Sequence, residues 1–275
     1  MSQKEVNLEA LSKTARKMRA HILESLAEAK SGHPGGSLSA VEIVVTLYMH
    51  KMRHRPKEPT WPDRDRFILS KGHAAPLLYA ILAECGYFPV EELKTLRKLG
   101  SRLQGHTDST KVPGVELSGG SLGIGLSAAI GVALAGKIDK RDYRVYALLG
   151  DGELDEGEVW EAAMAAPKFK LDNLTVIVDR NGIQQDGLTE QIMPLESIAA
   201  KWKAFNWHVI EVDGYDFAQI IDALDRAENM RNRPTVIIAY TIKGKGVSFM
   251  EWDPEFHGKT PDKETVKQLL EKMQE

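Results

Sequence analysis

Two polar segments that follow short apolar runs carry residue types suited to binding a metal ion. Asp151 lies between two glycines directly after the apolar run 145–149, and Asn181 follows a second apolar run, 174–178, thirty positions further along. A carboxylate, an amide oxygen and a backbone carbonyl form an oxygen-only set that leaves coordination positions for phosphate oxygens, as magnesium prefers. Each segment alone is typical of an ordinary turn, but the two at this spacing favour a site for a divalent cation and a phosphate.

Histidines supply a second indication of a ligand site. Four of the eight lie beside a glycine: His33, His73, His106 and His257. Glycine neighbours let the backbone approach a ligand closely, and imidazoles exchange protons near neutral pH or bind sugar hydroxyls. A solvated loop is the commoner setting for any one such histidine, but four of the same kind favour a binding cleft. His50 and His54 have the i, i+4 spacing of a metal pair without the glutamate of an HExxH motif, which disfavours zinc.

Three further motifs favour structural explanations. Residues 123–128, GIGLSA, fit a dinucleotide-binding fingerprint, but no strand is predicted before them, so we expect them to pack a helix. Lys243 and Lys245, in the segment KGKG, follow the apolar run 235–240 and could present positive charge to a phosphate, although solvated lysines are the default expectation. Cys85 lacks a nucleophile motif and is expected to be an inert thiol.

The alternation of helical and strand patterns predicts the architecture. Apolar residues recur at helical spacing in six segments, at 8–30, 39–52, 74–85, 127–135, 158–166 and 217–229. Short runs rich in β-branched residues predict four strands, at 145–149, 174–178, 208–212 and 235–240. Strands and helices in turn predict crossover connections, and hence an α/β fold with a mainly parallel sheet flanked by helices on both faces. We expect one domain over 1–275, with a C-terminal helix from about Pro261 as an appendage.

The composition disfavours several classes of protein. The 36 Lys and Arg against 39 Asp and Glu give a net charge of -3, which disfavours nucleic-acid binding. A single cysteine excludes an internal disulfide framework and favours a reducing cytoplasm. Residues 1–20 lack the apolar region of a secretory signal, and the uncharged stretch 117–136 is too rich in Gly, Ser and Ala to favour a membrane span.

Four segments together resemble the N-terminal part of transketolase, a thiamine diphosphate enzyme. They are SGHPGG (31–36), DRDRFILSKGHAAPLLYAIL (63–82), GDGELDEG (150–157) and DRNGIQQDG (179–187). The similarity runs through essentially the whole chain and includes FHG at 256–258. The GDG segment and its asparagine are common to thiamine diphosphate enzymes in general, whereas GHPG and SKGH are more specific.

The resemblance implies roles for particular residues. Asp151, Asn181 and the carbonyl of Ile183 would hold Mg²⁺, or another divalent cation such as Ca²⁺ or Mn²⁺, which bridges to the diphosphate. Other cofactor-binding residues would be Gly120, Leu122, Gly150, Gly152, Glu156, Lys243, His73 and His257. Gly120 and Leu122 would contact the cofactor rings, and Ser121 replaces the family's usual proline between them. Glu156 would link cofactor sites across a subunit interface. The catalytic residues would be His33, His73, His106 and His257, which would bind hydroxyls and assist proton transfer.

The length of the chain implies that it supplies half of a site. A full transketolase continues with a pyrimidine-binding domain, which carries the glutamate that activates the cofactor, and with a third domain. We therefore expect the N-terminal subunit of a split transketolase, active only with a C-terminal partner subunit in a heterotetramer that contains two copies of each chain. The expected reaction is reversible transfer of a two-carbon ketol unit from a ketose phosphate to an aldose phosphate through thiamine diphosphate, as in the pentose phosphate pathway. The alternatives are the α subunit of a 2-oxo acid dehydrogenase and a non-catalytic binding or regulatory homologue.

Overall fold

A computed structural model of the protein describes residues 7–272, so that the N-terminal six residues of the expected non-secretory segment lie outside it. The helices are α1 (Leu8–Ala29), α2 (Pro34–Leu38), α3 (Val41–Thr46), α4 (Ala75–Glu84), α5 (Ile124–Ile138), α6 (Gly157–Lys168), α7 (Thr189–Ile192), α8 (Ile198–Ala204), α9 (Phe217–Asn229) and α10 (Lys263–Lys272). The strands are β1 (Arg66–Leu69), β2 (Val145–Gly150), β3 (Leu174–Arg180), β4 (Ile183–Gln184), β5 (Gly187–Leu188), β6 (His208–Asp213) and β7 (Thr235–Tyr240).

Five of the strands form one parallel sheet in the order β1-β2-β3-β7-β6. Gly150 at the end of β2 is paired with Asp179 of β3, and Asp179 is paired with Ala239 of β7. This register brings the loops that follow the three strands to one edge of the sheet. The short strands β4 and β5 form a separate antiparallel hairpin directly after β3.

Helices cover both faces of the sheet, which confirms the predicted fold class. Alternate residues of β2 enter different cores: Tyr146 and Leu148 pack with α1, α3, α4 and α9, whereas Val145, Ala147 and Leu149 pack with α5, α6 and α8. The chain advances across the sheet from β1 to β6 and then turns back to β7. Because crossover connections are right-handed, this reversal places α9 on the face opposite α6 and α8.

The structure contains elements that the sequence pattern did not predict, namely strands β1, β4 and β5 and helices α2, α7 and α8. Strand β1 lies within the segment 63–82, where the sequence pattern predicted no strand. The helix predicted at 39–52 is observed as α3, which begins at Val41 and continues into a π-helical turn, Leu47–Lys51, whereas α2 is a separate short helix before it. The C-terminal helix predicted from about residue 261 is α10, which packs against α1 and buries Val266. Among residues 7–272 no helix is both long and apolar enough to cross a membrane.

Candidate active site

A cavity of about 200 Å³ opens at the edge of the sheet where four parallel strands end. The loops after β1, β2, β3 and β7 all reach it, because neighbouring parallel strands present their carboxyl ends to the same side. Its lining consists of Gly36, Lys71, His73, Leu122, Gly150, Asp151, Gly152, Glu153, Asp155, Glu156, Asn181, Ile183, Gln184, Gln185, Lys243 and His257. Ten of these sixteen residues are among those that the sequence analysis named for the cofactor or the metal.

The three oxygen donors proposed for a metal ion lie around this cavity. The Asp151 carboxylate is buried and accepts hydrogen bonds from the backbone N–H of Gly182 (2.7 Å) and of Gly152 (2.9 Å). The amide oxygen of Asn181 accepts a hydrogen bond from the N–H of Ile183 (3.2 Å). Burial, with the nearby Asp179 carboxylate, raises the pKa of Asp151, and a divalent cation would offset both effects.

The chemistry of this donor set fits a hard cation such as Mg²⁺. One carboxylate, one amide oxygen and one carbonyl are the oxygen ligands that such an ion takes alongside phosphate. In the part of the chain that the structure describes, residues 7–272, no group of three or more His, Cys, Asp or Glu side chains could hold a metal ion. His54 is engaged by the Tyr48 carbonyl and the Tyr87 hydroxyl, at 2.8 and 3.2 Å, which argues further against a zinc pair with His50.

A buried ion pair lies beside the metal loop, which is the segment 179–183 that contains the candidate ligands Asn181 and Ile183. The Lys71 ammonium and the Asp179 carboxylate are 1% and 0% exposed and lie 2.6 Å apart. Asp179 also accepts hydrogen bonds from Ser39, Thr241 and the Asn181 side-chain amide, the last at 3.0 Å. Because this amide nitrogen is held by Asp179, the oxygen of the same amide is turned away from Asp179. The carboxylate therefore joins four separate chain segments and orients one candidate ligand.

Glu153 links the GDG loop to the start of α5. Its carboxylate accepts hydrogen bonds from the N–H groups of Gly123 (2.9 Å) and Gly150 (3.0 Å) and from the hydroxyl of Ser70. Gly125 packs so closely on Ser70 that a Cβ would lie 2.3 Å from its hydroxyl oxygen. Residues 123–128 thus begin a helix that packs against the site, with no strand among residues 97–123 before them.

The glycines of the SGHPGG segment make room for side chains of the site. A Cβ on Gly36 would lie 2.9 Å from Nε2 of His73, and a Cβ on Gly35 would lie 2.9 Å from Cγ of Lys243. A Cβ atom essentially never makes non-bonded contacts this short, so a side chain at either position would force its neighbours to move. The two glycines therefore let α2 approach the cavity wall closely.

Three of the four glycine-flanked histidines form a compact cluster. The ring centroid of His33 lies 5.4 Å from that of His73 and 5.3 Å from that of His257, and the last two rings are 5.3 Å apart. His106 is more distant, 6.4 Å from His33, and exposed. Neither His33 nor His106 lines the cavity itself. The Nδ1 atom of His33 is buried without a hydrogen-bond partner among the described residues, so a polar ligand atom could satisfy it.

The pKa values of all four imidazoles are lowered, which favours their neutral forms. Burial, followed by nearby positive charges, lowers the pKa of His33 and of His257 to about 4. Burial also lowers the pKa of His73, well below its ordinary value, and that of His106. A neutral imidazole can both donate and accept a hydrogen bond, as binding a sugar hydroxyl requires.

Lys243 is a buried residue of the site and not a solvated lysine. Its side chain is 2% exposed, and its ammonium contacts the Ile183 carbonyl (3.1 Å) and Nδ1 of His257 (2.9 Å). Burial lowers the pKa of this ammonium to about 8. Lys245 has a different environment, since its side chain is 33% exposed and pairs with Glu251.

The remaining predicted residues lie at the rim or elsewhere. Leu122 lines the cavity, Glu156 lies exposed at its edge, and Gly120 is exposed with its N–H close to Gly72. Burial raises the pKa of the Cys85 thiol to about 12, which agrees with an inert thiol. Five further residues beside the candidate ligands have no role predicted from the sequence, although they lie within the quoted motifs: Lys71, Glu153, Asp179, Arg180 and Gln184.

Fold and site together define a thiamine diphosphate-binding domain. Residues 11–274 match the family model described as "Transketolase, thiamine diphosphate binding domain". Since this match covers more than half of the chain, the chain belongs to the transketolase family. The family consists of thiamine diphosphate-dependent transferases, so the match favours transketolase over a 2-oxo acid dehydrogenase.

Similar proteins fall into short and long chains. The 6-deoxy-6-sulfo-D-fructose transketolase subunit SqwG of Clostridium sp. (strain MSTE9) is 45% identical over 91% of this chain and 90% of its own length. An apulose-4-phosphate transketolase subunit of Phocaeicola vulgatus is 41% identical over 98% of this chain and 96% of its own. Transketolase from Campylobacter jejuni has a similar structure, with a TM-score of 0.92 and 34% identity over 98% of this chain but only 43% of its own. The chain thus spans nearly all of the short relatives and about two fifths of the long ones.

Proposed function

We propose that the chain is the N-terminal, diphosphate-binding subunit of a two-chain transketolase. With its partner it transfers a two-carbon ketol unit from a ketose phosphate to an aldose phosphate, as in the pentose phosphate pathway. The observation that carries this proposal is the meeting of an oxygen-only donor set with a cluster of neutral histidines at one edge of the sheet. A metal-bound diphosphate fits the donor set, and polyhydroxylated substrates fit the histidines.

The proposed metal site uses three oxygen donors from the loops that follow β2 and β3. Asp151, Asn181 and the Ile183 carbonyl would hold Mg²⁺, and Gly150 and Gly152 would let the diphosphate lie close to the backbone. Thiamine diphosphate, when bound, supplies a thiazolium that stabilises a carbanion. The Lys243 ammonium, buried at the cavity wall, contributes positive charge toward the diphosphate.

The histidines have proposed roles set by their neutrality. His33, with an unpartnered buried nitrogen, would bind a sugar hydroxyl. His73 lines the cavity and would accept or return a proton at a substrate hydroxyl through a nitrogen lone pair. His257 also lines the cavity; because its Nδ1 faces the Lys243 ammonium, it would donate its Nε2–H to a substrate oxygen and assist proton transfer in this way. His106, exposed beside His33, would contact the substrate farther from the reacting carbon.

A partner subunit would complete the site. Two relatives that match over 90% or more of their own length are named as transketolase subunits, which supports a two-chain enzyme. The partner would carry the pyrimidine-binding domain, and the assembly would contain two of each chain. Glu156, which is exposed, would link cofactor sites across a subunit interface, and Gly120, also exposed, would contact the cofactor rings. We place this assembly in the cytoplasm. The names of those relatives differ in the sugar, so the substrate of this chain is proposed only as a class.

Reconstitution tests the proposal. The chain is mixed with the pyrimidine-domain subunit, Mg²⁺ and thiamine diphosphate, and ketol transfer from xylulose 5-phosphate to ribose 5-phosphate is followed. We expect transfer with the wild-type chain, its loss with Asp151→Ala, and no change with the surface control Asp222→Asn, whose side chain is 68% exposed. Failure of a properly assembled complex to transfer any ketol unit would contradict the proposal. Unchanged cofactor retention in Asp151→Ala would favour a non-catalytic homologue instead.

A further inference from the structure

Arg180 touches the proposed metal ligand from outside the cofactor cavity. Its Nη1 donates to Oδ2 of Asp151 at 3.1 Å, and its side chain is 10% exposed. Arg180 does not line the cavity that holds the oxygen donors; it lines a neighbouring cavity together with Thr189, Glu190 and Glu196. The guanidinium therefore contacts Asp151 from the side that faces away from the cofactor cavity. It acts on this carboxylate and not directly on a diphosphate.

The same guanidinium is also held by two carboxylates near the surface. Nη2 lies 2.9 Å from Oε1 of Glu190 and 3.2 Å from Oε1 of Glu196, and the two glutamates are 44% and 48% exposed. Nη1 also donates to the hydroxyl of Thr189. One edge of the guanidinium thus faces the buried Asp151, and the other edge faces the exposed glutamates.

The Asp151 carboxylate does not need Arg180 to hold its position. Backbone N–H groups of Gly182 and Gly152 already bond its two oxygens, at 2.7 and 2.9 Å. What Arg180 adds is positive charge within hydrogen-bond distance of an atom that would bind a cation. A cation competing for the same carboxylate is opposed by this charge, and the two glutamates reduce the opposition because they neutralise part of the guanidinium charge.

We propose that Arg180 is a counter-ion shared between Asp151 and the pair Glu190 and Glu196, and that this sharing sets the affinity of Asp151 for its divalent cation. The inference rests on the metal site of the proposed function and adds residues from outside that site. Glu190 and Glu196 lie on the segment that contains α7 and joins β5 to α8, so surface residues outside the cofactor cavity regulate metal binding through Arg180.

Metal binding to the full chain tests the inference, with Mn²⁺ alone as the probe. Free Mn²⁺ is measured from its electron paramagnetic resonance signal during titration of the wild type, Arg180→Gln, the double variant Glu190→Gln/Glu196→Gln, and the triple variant. We expect Arg180→Gln to bind Mn²⁺ about tenfold more tightly. A neighbouring charge changes the proton affinity of a carboxylate by about this factor or more. We expect the double variant to bind about twofold to fivefold more weakly, within the range of exposed ion pairs.

The triple variant distinguishes sharing from separate effects. If the glutamates act through Arg180, their substitution changes the affinity of the Arg180→Gln chain by less than about twofold, because the coupling is lost with the shared partner. The control pair Arg226→Gln and Asp222→Asn, on the exposed face of α9, leaves Mn²⁺ affinity unchanged. Urea unfolding of each variant separates a change in affinity from a change in stability.

Fluorescence supplies a second readout. Trp252 lies directly against the metal loop, since a Cβ on Gly182 would be 2.8 Å from Cζ3 of the indole, and it lines the same cavity as Arg180. Addition of Mn²⁺ should change the tryptophan emission, and the part of this change that is absent in Trp252→Phe reports on the site. The Mn²⁺ affinities measured in this way should rank the variants in the same order as the resonance titration. Weaker or unchanged Mn²⁺ binding by Arg180→Gln overturns the inference, as does an undiminished glutamate effect in the triple variant. If the wild-type chain binds no Mn²⁺, both the inference and the proposed metal site are wrong. The ketol-transfer assay with the partner subunit tests the proposed function separately.

Discussion

Replacing Lys71 with methionine tests the buried ion pair behind the metal loop. The substitution keeps most of the side-chain volume and removes the ammonium that lies 2.6 Å from both Asp179 and the Gly36 carbonyl. Asp179 is then left as a buried carboxylate that keeps only its neutral hydrogen-bond donors. Breaking a buried pair in this way costs about 3–5 kcal/mol of unfolding free energy, because one charge remains uncompensated. At about 2–4 °C per kcal/mol for a domain approaching this size, the midpoint of thermal unfolding falls by about 6–20 °C.

The pH dependence of this loss identifies its cause. In the wild type, burial raises the pKa of Asp179, but Lys71 and the hydrogen bonds from Thr241 and Ser39 outweigh it, so that the pKa is lowered. The wild-type carboxylate therefore contributes stability above its unfolded pKa. Without Lys71, burial dominates, and the pKa of Asp179 in the folded protein rises above its value in the unfolded chain. The ionised carboxylate then destabilises the folded protein increasingly as pH rises above the unfolded pKa. The difference between the two proteins is then largest near neutral pH and shrinks as pH falls toward about 5.

Urea unfolding followed by circular dichroism at about pH 7.5 and about pH 5 measures this difference. The matched control is Lys17→Met, since Lys17 forms an ion pair of 2.8 Å with Glu84 but is 53% exposed. An exposed pair of this kind contributes about 0–1 kcal/mol. A loss below about 1 kcal/mol in Lys71→Met, or one that does not change with pH, would refute the role given to the buried charge.

Three further changes test other parts of the site. Gly36→Ala places a Cβ 2.9 Å from Nε2 of His73, so the wall shifts and thiamine diphosphate retention by the assembled enzyme falls, as equilibrium dialysis would measure; equal retention would contradict the packing argument. Glu153→Gln turns an amide N–H₂ toward the N–H of Gly123 or Gly150 and lowers the urea-derived unfolding free energy by about 1–3 kcal/mol, whereas no change would show that the carboxylate is dispensable. Because burial lowers the pKa of His33 to about 4, the unfolded chain binds more protons between about pH 4 and 6.5, and stability rises with pH in that window; His33→Gln should flatten the rise.

Much of the fold follows from local pattern in the sequence. Strands β2, β3, β6 and β7 are apolar and rich in β-branched residues, so their positions are predicted almost to the residue. Parallel pairing of β2 with β3 then brings Asp151 and Asn181 together, as expected from the order of the strands alone. Strand β1 is missing from the prediction because it has only four residues, the first of them Arg66, which is too short for a periodic signal.

The residues that support the site could not be predicted because their partners are distant in sequence. Lys71 and Asp179 are separated by 108 positions, and Ser39 is 140 positions from Asp179. Nothing local to any of these residues indicates that a single buried carboxylate joins them. Glu153 had a visible signal, since it directly follows the GDG segment, but its role depends on Gly123, which approaches only when α5 packs in place. Lys243 was expected in solvent because burial of an ammonium depends on tertiary contacts.

The pairing of Gly150 with Asp179 also limits how this protein can change during evolution. Each candidate ligand follows its paired residue by one or two positions, so the ladder of hydrogen bonds between β2 and β3 fixes their separation. Deleting one residue within either strand would displace a ligand by about 3.3 Å and turn its side chain to the opposite face. Insertions in the crossover between the strands would leave the ligands where they are. The length of the crossover between β2 and β3 therefore constrains the two candidate ligands less than the junction of each strand with its loop does.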